Sequence, residues 1–375
     1  MVSLAVQDGT EELLTVVRDF ARSRVRARAA EAEDATATPL GLASELHEMG
    51  VAPAIAEEFG GQGVPGAVDS LFIAERLAYG DAGIALELLS SNQAAALIAA
   101  TGNAEQRRRY LSRFAVEPGL VANVLYYEGF GRGPSELETR AVKSGTDWTV
   151  SGLKTTVVRL GDADLSVLVA RTDTGELTAF VLEPEQLTRL TVARDDQVTG
   201  KLGLRAARTG IAELPGVTVP ESQRLVAEHP LALSRAVALF RLQIAALALG
   251  VGTASLDYAH AYTSERIAFG KPVIKYQGVA FPLADSAMTL DAARLDVIAL
   301  VADLEHLDNA AEIERRTTLV VQRTARTALD TTRIGVNSLG GHGYLSDHPV
   351  ERWYRAATTL SAVDFDPLAL DSDVI

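Results

Sequence analysis

The chain contains no cysteine, which removes disulfides, thiolate nucleophiles and thiolate metal sites while leaving the compartment open. Basic residues are the next shortage: 35 Lys and Arg stand against 49 Asp and Glu, a net charge of -14. Such a surface repels nucleic acid and anionic membrane as a whole. No run of about 18 apolar residues escapes a charge, and "MVSLAVQDGTEELL" has no basic region ahead of an apolar core, so neither a membrane span nor a signal peptide is expected. A cytoplasmic location follows. The six histidines include no H-x-x-x-H pair, so no metal site is expected, and no G-x-S-x-G elbow marks a serine nucleophile. What is present is bulk. The 375 residues are 47% hydrophobic, enough for a large core and two or three packed units.

From Asp8 the apolar positions Leu13, Val17, Phe20, Ala21 and Val25 recur at steps of three and four, with Asp8 and Glu11 placed as an N-cap and its capping-box partner. That is an amphipathic helix, and similar periods carry helices to about residue 117. The period then changes. "DWTV", "LSVLVART" and "LTAFVLE" alternate or run apolar over short lengths between Ser-Gly and Thr-Gly turn signals, which predicts a small antiparallel β unit over about 120 to 225. Three long apolar-periodic segments follow, at roughly 231 to 265, 276 to 305 and 309 to 338, and Gly340, Gly341 and Gly343 end the third. The expected fold is α+β in three parts: an N-terminal helical domain (1–118), a β domain (119–225) and a C-terminal long-helix bundle (226–375).

Four stretches are more specific: "AEEFGGQGVP" (Ala56 to Pro65), "KLGLRAARTG" (Lys201 to Gly210), "SERIAFGKPVIKYQ" (Ser264 to Gln277) and "LGGHGYLSDHPVERWYRAA" (Leu339 to Ala357). In residues and order the chain resembles the acyl-CoA dehydrogenase superfamily over nearly its whole length. The resemblance implies FAD as cofactor, an acyl-CoA thioester as substrate, a homologous chain as partner and an electron-transfer flavoprotein as acceptor. It also implies that Arg266, Phe269, Gln277, Asn337, Gly340 and Gly341 close on the ADP half of an FAD held mainly by a neighbouring subunit. Asn337 stands where relatives have Gln, with a shorter reach. The chemistry suits the assignment, because Arg offers a rigid fork of donors to a pyrophosphate, Phe a flat apolar surface, and paired glycines a close backbone approach.

The pattern departs from the family at the reactive end of the flavin. The position of the catalytic Glu falls on Asp364, which is either a shorter base or a solvated acid in a charged tail with Asp366, Asp371 and Asp373. The alternative position for a base is Phe240, before Arg241, an Arg that could orient base or thioester. Where relatives carry a T-E-P-x-x-G-S-type loop this chain has "YYEGFGRGPS" (Tyr126 to Ser135), keeping Glu128, and where they carry W-I-T beside the ring it has Thr156 to Val158. His342 lies in the glycine loop, where it could face the cofactor.

The asymmetry predicts a subunit of a heteromeric acyl-CoA dehydrogenase, similar to the flavin-site-degenerate chains of actinobacterial complexes, which lends ADP-side contacts to a partner's FAD. Two alternatives stand beside it: a self-sufficient homo-oligomer with Asp364 as base, and a non-catalytic structural member.

Overall fold

The computed structural model describes residues 8–117, 119–129, 133–194 and 200–364. α1 (Asp8–Phe20) passes through a single π-type turn, Ala21–Val25, into α2 (Arg26–Ala35). Five helices follow: α3 (Leu42–Glu48), α4 (Ala67–Gly80), α5 (Ala82–Leu88), α6 (Ser90–Thr101) and α7 (Ala104–Val116). The starts are written in the sequence. Asp81 caps α5 by accepting from the Ile84 amide at 2.9 Å, and Asn103 with Gln106 forms a reciprocal capping box on α7.

The β unit is a seven-stranded sheet in the order β1-β4-β2-β3-β7-β6, with β5 on β4. Its strands are β1 (Ala122–Leu125), β2 (Arg140–Ser144), β3 (Asp147–Lys154), β4 (Leu165–Thr172), β5 (Leu177–Leu182), β6 (Thr191–Arg194) and β7 (Gly210–Pro220), and the short helix α8 (Pro184–Leu187) follows β5. Most pairings are antiparallel, as expected for adjacent hairpins. The sheet is nevertheless mixed, because β1 and β2 both run parallel to β4. Alternation of apolar residues reports the pleat but not the direction of a neighbour, and β1 reaches β4 only after the β2–β3 hairpin has intervened. β4 is buried along almost its whole length, as a central strand covered on both faces must be.

The C-terminal bundle consists of α9 (Ala232–Glu265), α10 (Gln277–Asp303), α11 (Ala310–Ser338) and α12 (Val350–Val363). α9 is its axis and packs on α4, α6, α10, α11 and α12. It is long and apolar enough to cross a bilayer, yet 83% of its most apolar stretch is buried inside the protein, as in a core helix. Glycine permits the tightest crossing: a Cβ on Gly250 would lie 2.2 Å from the Glu75 carbonyl oxygen on α4.

Two half-buried ion pairs tie the three parts together. Glu75 of α4 receives Arg294 of α10 at 2.8 Å, and Arg355 of α12 reaches Glu33 of α2 and the Leu202 carbonyl. The sheet is fastened to the bundle by Glu314 of α11, which accepts from the Ser135 amide at 3.1 Å and hydroxyl at 2.7 Å.

Candidate functional site

Because α9 and α11 run the same way and α10 runs back between them, the end of α9, the start of α10 and the end of α11 meet at one end of the bundle. All six predicted ADP-side residues lie there, and all six are exposed. Arg266 leaves α9 in extended conformation. Its side chain makes no ion pair among the described residues. The chain then folds into a two-stranded hairpin, β8 (Ile267–Ala268) on β9 (Lys271–Pro272). Phe269 and Gly270 form its turn with φ of 51° and 83°, the left-handed pair such a tight hairpin needs. Phe269 is therefore held in an uncommon conformation and is 96% exposed. Both features are costly in water, the first by about 1–2 kcal/mol.

Gln277 opens α10, and Asn337 sits in the last turn of α11. Gly340 has φ of +59°, and a Cβ at either Gly340 or Gly341 would meet open space, so the backbone there is approachable from outside. The glycine loop is pinned to α9 by two hydrogen bonds: Tyr262 Oη to His342 Nδ1 at 2.6 Å and Tyr258 Oη to His348 Nδ1 at 2.8 Å. The two imidazoles stack 5.4 Å apart. His342 thus braces the loop.

The opposite half of the predicted site lies between the sheet and α9, and it is full. Asp364 is 2% exposed and Arg241 is 1% exposed. The solvated-acid expectation for Asp364 is overturned, because α12 delivers it into the interior. Arg241 donates through Nε to Asp364 Oδ2 and through Nη2 to Oδ1, both at 2.9 Å, and through Nη2 to Thr318 Oγ1 at 3.0 Å. Its Nη1 has no partner. Tyr127 donates its hydroxyl to Asp364 Oδ2 at 3.4 Å. Burial pushes the Asp364 carboxyl up, against the pull of Arg241 and of the Tyr127 hydroxyl. The rings of Tyr126, Tyr127 and Phe240 pack at 5.0 to 5.5 Å from one another. The crevice between Tyr127, Val124, Thr156, Val158, Leu86 and Gln93 has an open volume of about 10 Å³, room for a single water.

Glu128 and Lys154 form a second buried pair beside this plug, at 2.7 Å. Burial lowers the Lys154 ammonium to about 8, although Glu128 pulls the other way. Two larger voids flank the plug. One, of about 500 Å³, is apolar and lies between α4, α6, α7 and α9, with Phe59, Leu71, Ala96, Leu239 and Phe240 among its walls. The other, of about 550 Å³, separates the sheet from the starts of α9 and α11 and has Arg241, Arg171, Glu314 and Thr317 in its walls. Adjacent residues Phe240 and Arg241 therefore face different spaces.

Two parts of the chain match domains of known proteins. The N-terminal domain of acyl-CoA dehydrogenases matches residues 7–117, and their C-terminal domain matches residues 231–364. The short-chain specific acyl-CoA dehydrogenase of Clostridium acetobutylicum is 30% identical over 91% of this chain and 90% of its own length. The chain belongs to the acyl-CoA dehydrogenase family. An acyl-CoA dehydrogenase of Bacillus subtilis is 29% identical over 91% of this chain and 90% of its own. The butyryl-CoA dehydrogenase of Megasphaera elsdenii superposes with a TM-score of 0.82 at 26% identity, covering 98% of this chain and 97% of that one. Acyl-CoA dehydrogenases bind FAD.

The two predicted half-sites differ in what they offer an FAD. The bundle end offers a guanidinium with no ion pair among the described residues, an exposed ring and an open glycine backbone. The ring side offers a crevice of about 10 Å³, far too small for a tricyclic ring. Sequence reading missed Tyr127 as the residue that fills it. The signal was available: Tyr127 occupies the place of the threonine in the family's loop, and a phenol reaches where a short hydroxyl does not.

Proposed function

We propose that the chain is the cofactor-gripping subunit of a heteromeric, FAD-dependent acyl-CoA dehydrogenase. Arg266, Phe269, Gln277, Asn337 and the Gly340-Gly341 turn close on the ADP half of an FAD whose isoalloxazine rests in a homologous partner chain. The observation that carries this reading is the contrast around Tyr127: the phenol and Asp364 occupy this chain's own ring side, while the bundle end stands open and unsatisfied. Bound there, FAD would supply the hydride acceptor for oxidation of an acyl-CoA, with an electron-transfer flavoprotein as the expected electron acceptor. This chain's residues supply charge for the pyrophosphate and a surface for the adenosine. The test is purification of the chain alone and together with the product of the neighbouring gene. Colourless protein alone and yellow protein from the pair are expected, and stoichiometric flavin in the lone chain would overturn the reading. In the pair, Arg266→Ala should weaken flavin retention by at least tenfold, about 1.4 kcal/mol.

One observation favours a second reading, a self-sufficient homo-oligomer. Asp364 is buried against Arg241 with its carboxyl pushed up, as a general base working near neutrality requires. Asp364→Asn separates the two. Loss of dye-linked desaturation in a lone chain that keeps its FAD would establish Asp364 as the base.

A further inference from the structure

The glycine loop carries a side chain that the cofactor grip has not used. His342 stands between Gly341 and Gly343 and is exposed, yet its ring is held by its neighbours. Tyr258 and Tyr262 lie one turn apart on α9, so their phenols leave the same face of the helix, and each meets an imidazole at Nδ1. The Tyr262 ring stands edge-on to His342, 5.9 Å away at 78°. The His348 ring lies almost parallel to it, with 15° between the planes. The backbone beside it is fixed as well, because a Cβ at Gly343 would collide with the Val336 carbonyl of α11. An exposed imidazole ordinarily rotates, and ordering one costs conformational entropy. In this loop the ring is ordered before any ligand arrives, which is the meaning of preorganisation.

The two nitrogens of the His342 ring differ. Nδ1 is taken by Tyr262, whose hydroxyl makes no other hydrogen bond among the described residues. The phenol therefore gives its hydrogen to Nδ1, and the imidazole keeps its own on Nε2. That N–H finds no acceptor among the described residues. A metal is not its counterpart, since among the described residues no three His, Asp or Glu side chains gather to hold one. The position offers one oriented donor, flanked by open backbone at Gly340 and Gly341, at the same end of the bundle as the Arg266 guanidinium. A donor without an acceptor near a cation without an ion pair suits an anionic oxygen. We propose that His342 donates its Nε2 hydrogen to a diphosphate oxygen of the FAD, and that Tyr262 is the positioning residue that turns the ring to do so. His348, held in turn by Tyr258, keeps the ring from swinging by stacking on it. The assignment rests on the cofactor-gripping reading and adds a residue to it.

Two measurements test it, the first without flavin. The lone chain is labelled with nitrogen-15 at its six histidines, and the His342 resonances are assigned with His342→Gln and read in mildly alkaline buffer. His342 should carry its hydrogen on Nε2 and show a bare, hydrogen-bonded Nδ1. Hydrogen on Nδ1 would make Nε2 an acceptor, which repels an anionic oxygen, and would overturn the assignment. The second measurement is flavin retention in the complex with the partner chain. His342→Phe keeps the stack and loses the donor, and should weaken retention about three- to tenfold, the worth of one hydrogen bond. His342→Gln keeps an N–H and should stay close to the natural chain. Tyr262→Phe frees the ring and should fall between the two. Equal losses in all three variants would leave the side chain a brace alone and overturn the proposal. Arg266→Ala separates the two ways of failing. If it weakens retention while His342→Phe does not, the donor is wrong and the grip stands; if neither changes retention, both fall.

Discussion

The two halves of the proposed cofactor site handle charge and aromatic surface in opposite ways. At the bundle end an Arg without an ion partner and a Phe with φ of 51° face solvent. At the ring side an Arg is clamped twice to Asp364 at 2.9 Å and three aromatic rings close over the pair. The first region stores unfavourable exposure that only a ligand or another molecule relieves. The second is paired within one chain, except for Arg241 Nη1, which has no partner among the described residues. Residues kept costly in isolation are what a binding surface would show; residues paired internally contribute first to stability.

The largest test of that difference is stability. Arg241→Leu leaves Asp364 buried with only the Tyr127 hydroxyl, and should cost about 3–5 kcal/mol in urea unfolding. Arg266→Leu should stay within about 0.5 kcal/mol. Equal losses would erase the distinction between the halves. Next in size is Tyr127→Thr, which removes most of a packed ring and should cost about 2–4 kcal/mol. If the phenol is what excludes the flavin ring, this variant alone should gain a rise in Tm on addition of FAD that the natural chain lacks.

A pH experiment sharpens the contrast on the buried side. Lys154 falls to about 8 from an ordinary value of 10.5. Between those values the unfolded chain holds a proton that the folded chain has released, so this group's contribution to stability improves as pH rises across the window. Below about 8 both states are protonated and the cost of the buried ammonium is fully present. The stability of the natural chain minus that of Lys154→Met should climb from pH 8 towards 10.5, and a flat difference would place the ammonium in contact with water. The smallest effect is at the tip of the hairpin. Phe269→Gly should stabilise the lone chain by up to about 1 kcal/mol, because glycine adopts positive φ freely, while lowering flavin retention in the paired complex. Melting curves and flavin absorbance read both.

Periodicity placed the long helices within a few residues of their ends. Segments expected at 231 to 265 and 309 to 338 are α9 at 232–265 and α11 at 310–338, since a run of apolar residues between glycine and proline punctuation has little else to become. The β unit was legible as strands, but its parallel pairs were not, because the direction of a neighbour is not encoded in alternation. The ADP-side set was legible as motifs. Tyr127 was not, because its role depends on where α12 brings Asp364, 237 residues away in the chain. The imidazole brace was missed for the same reason: His342 and His348 find Tyr262 and Tyr258 only once α9 and the glycine loop lie side by side.

By itself the sequence determined the three-part helix, sheet and bundle order and the family, because each rests on residues close together along the chain. The tertiary structure alone decided that Asp364 is buried rather than solvated and that the ring side is closed by a phenol. Burial is a property of what the rest of the chain covers, and local spacing cannot report it.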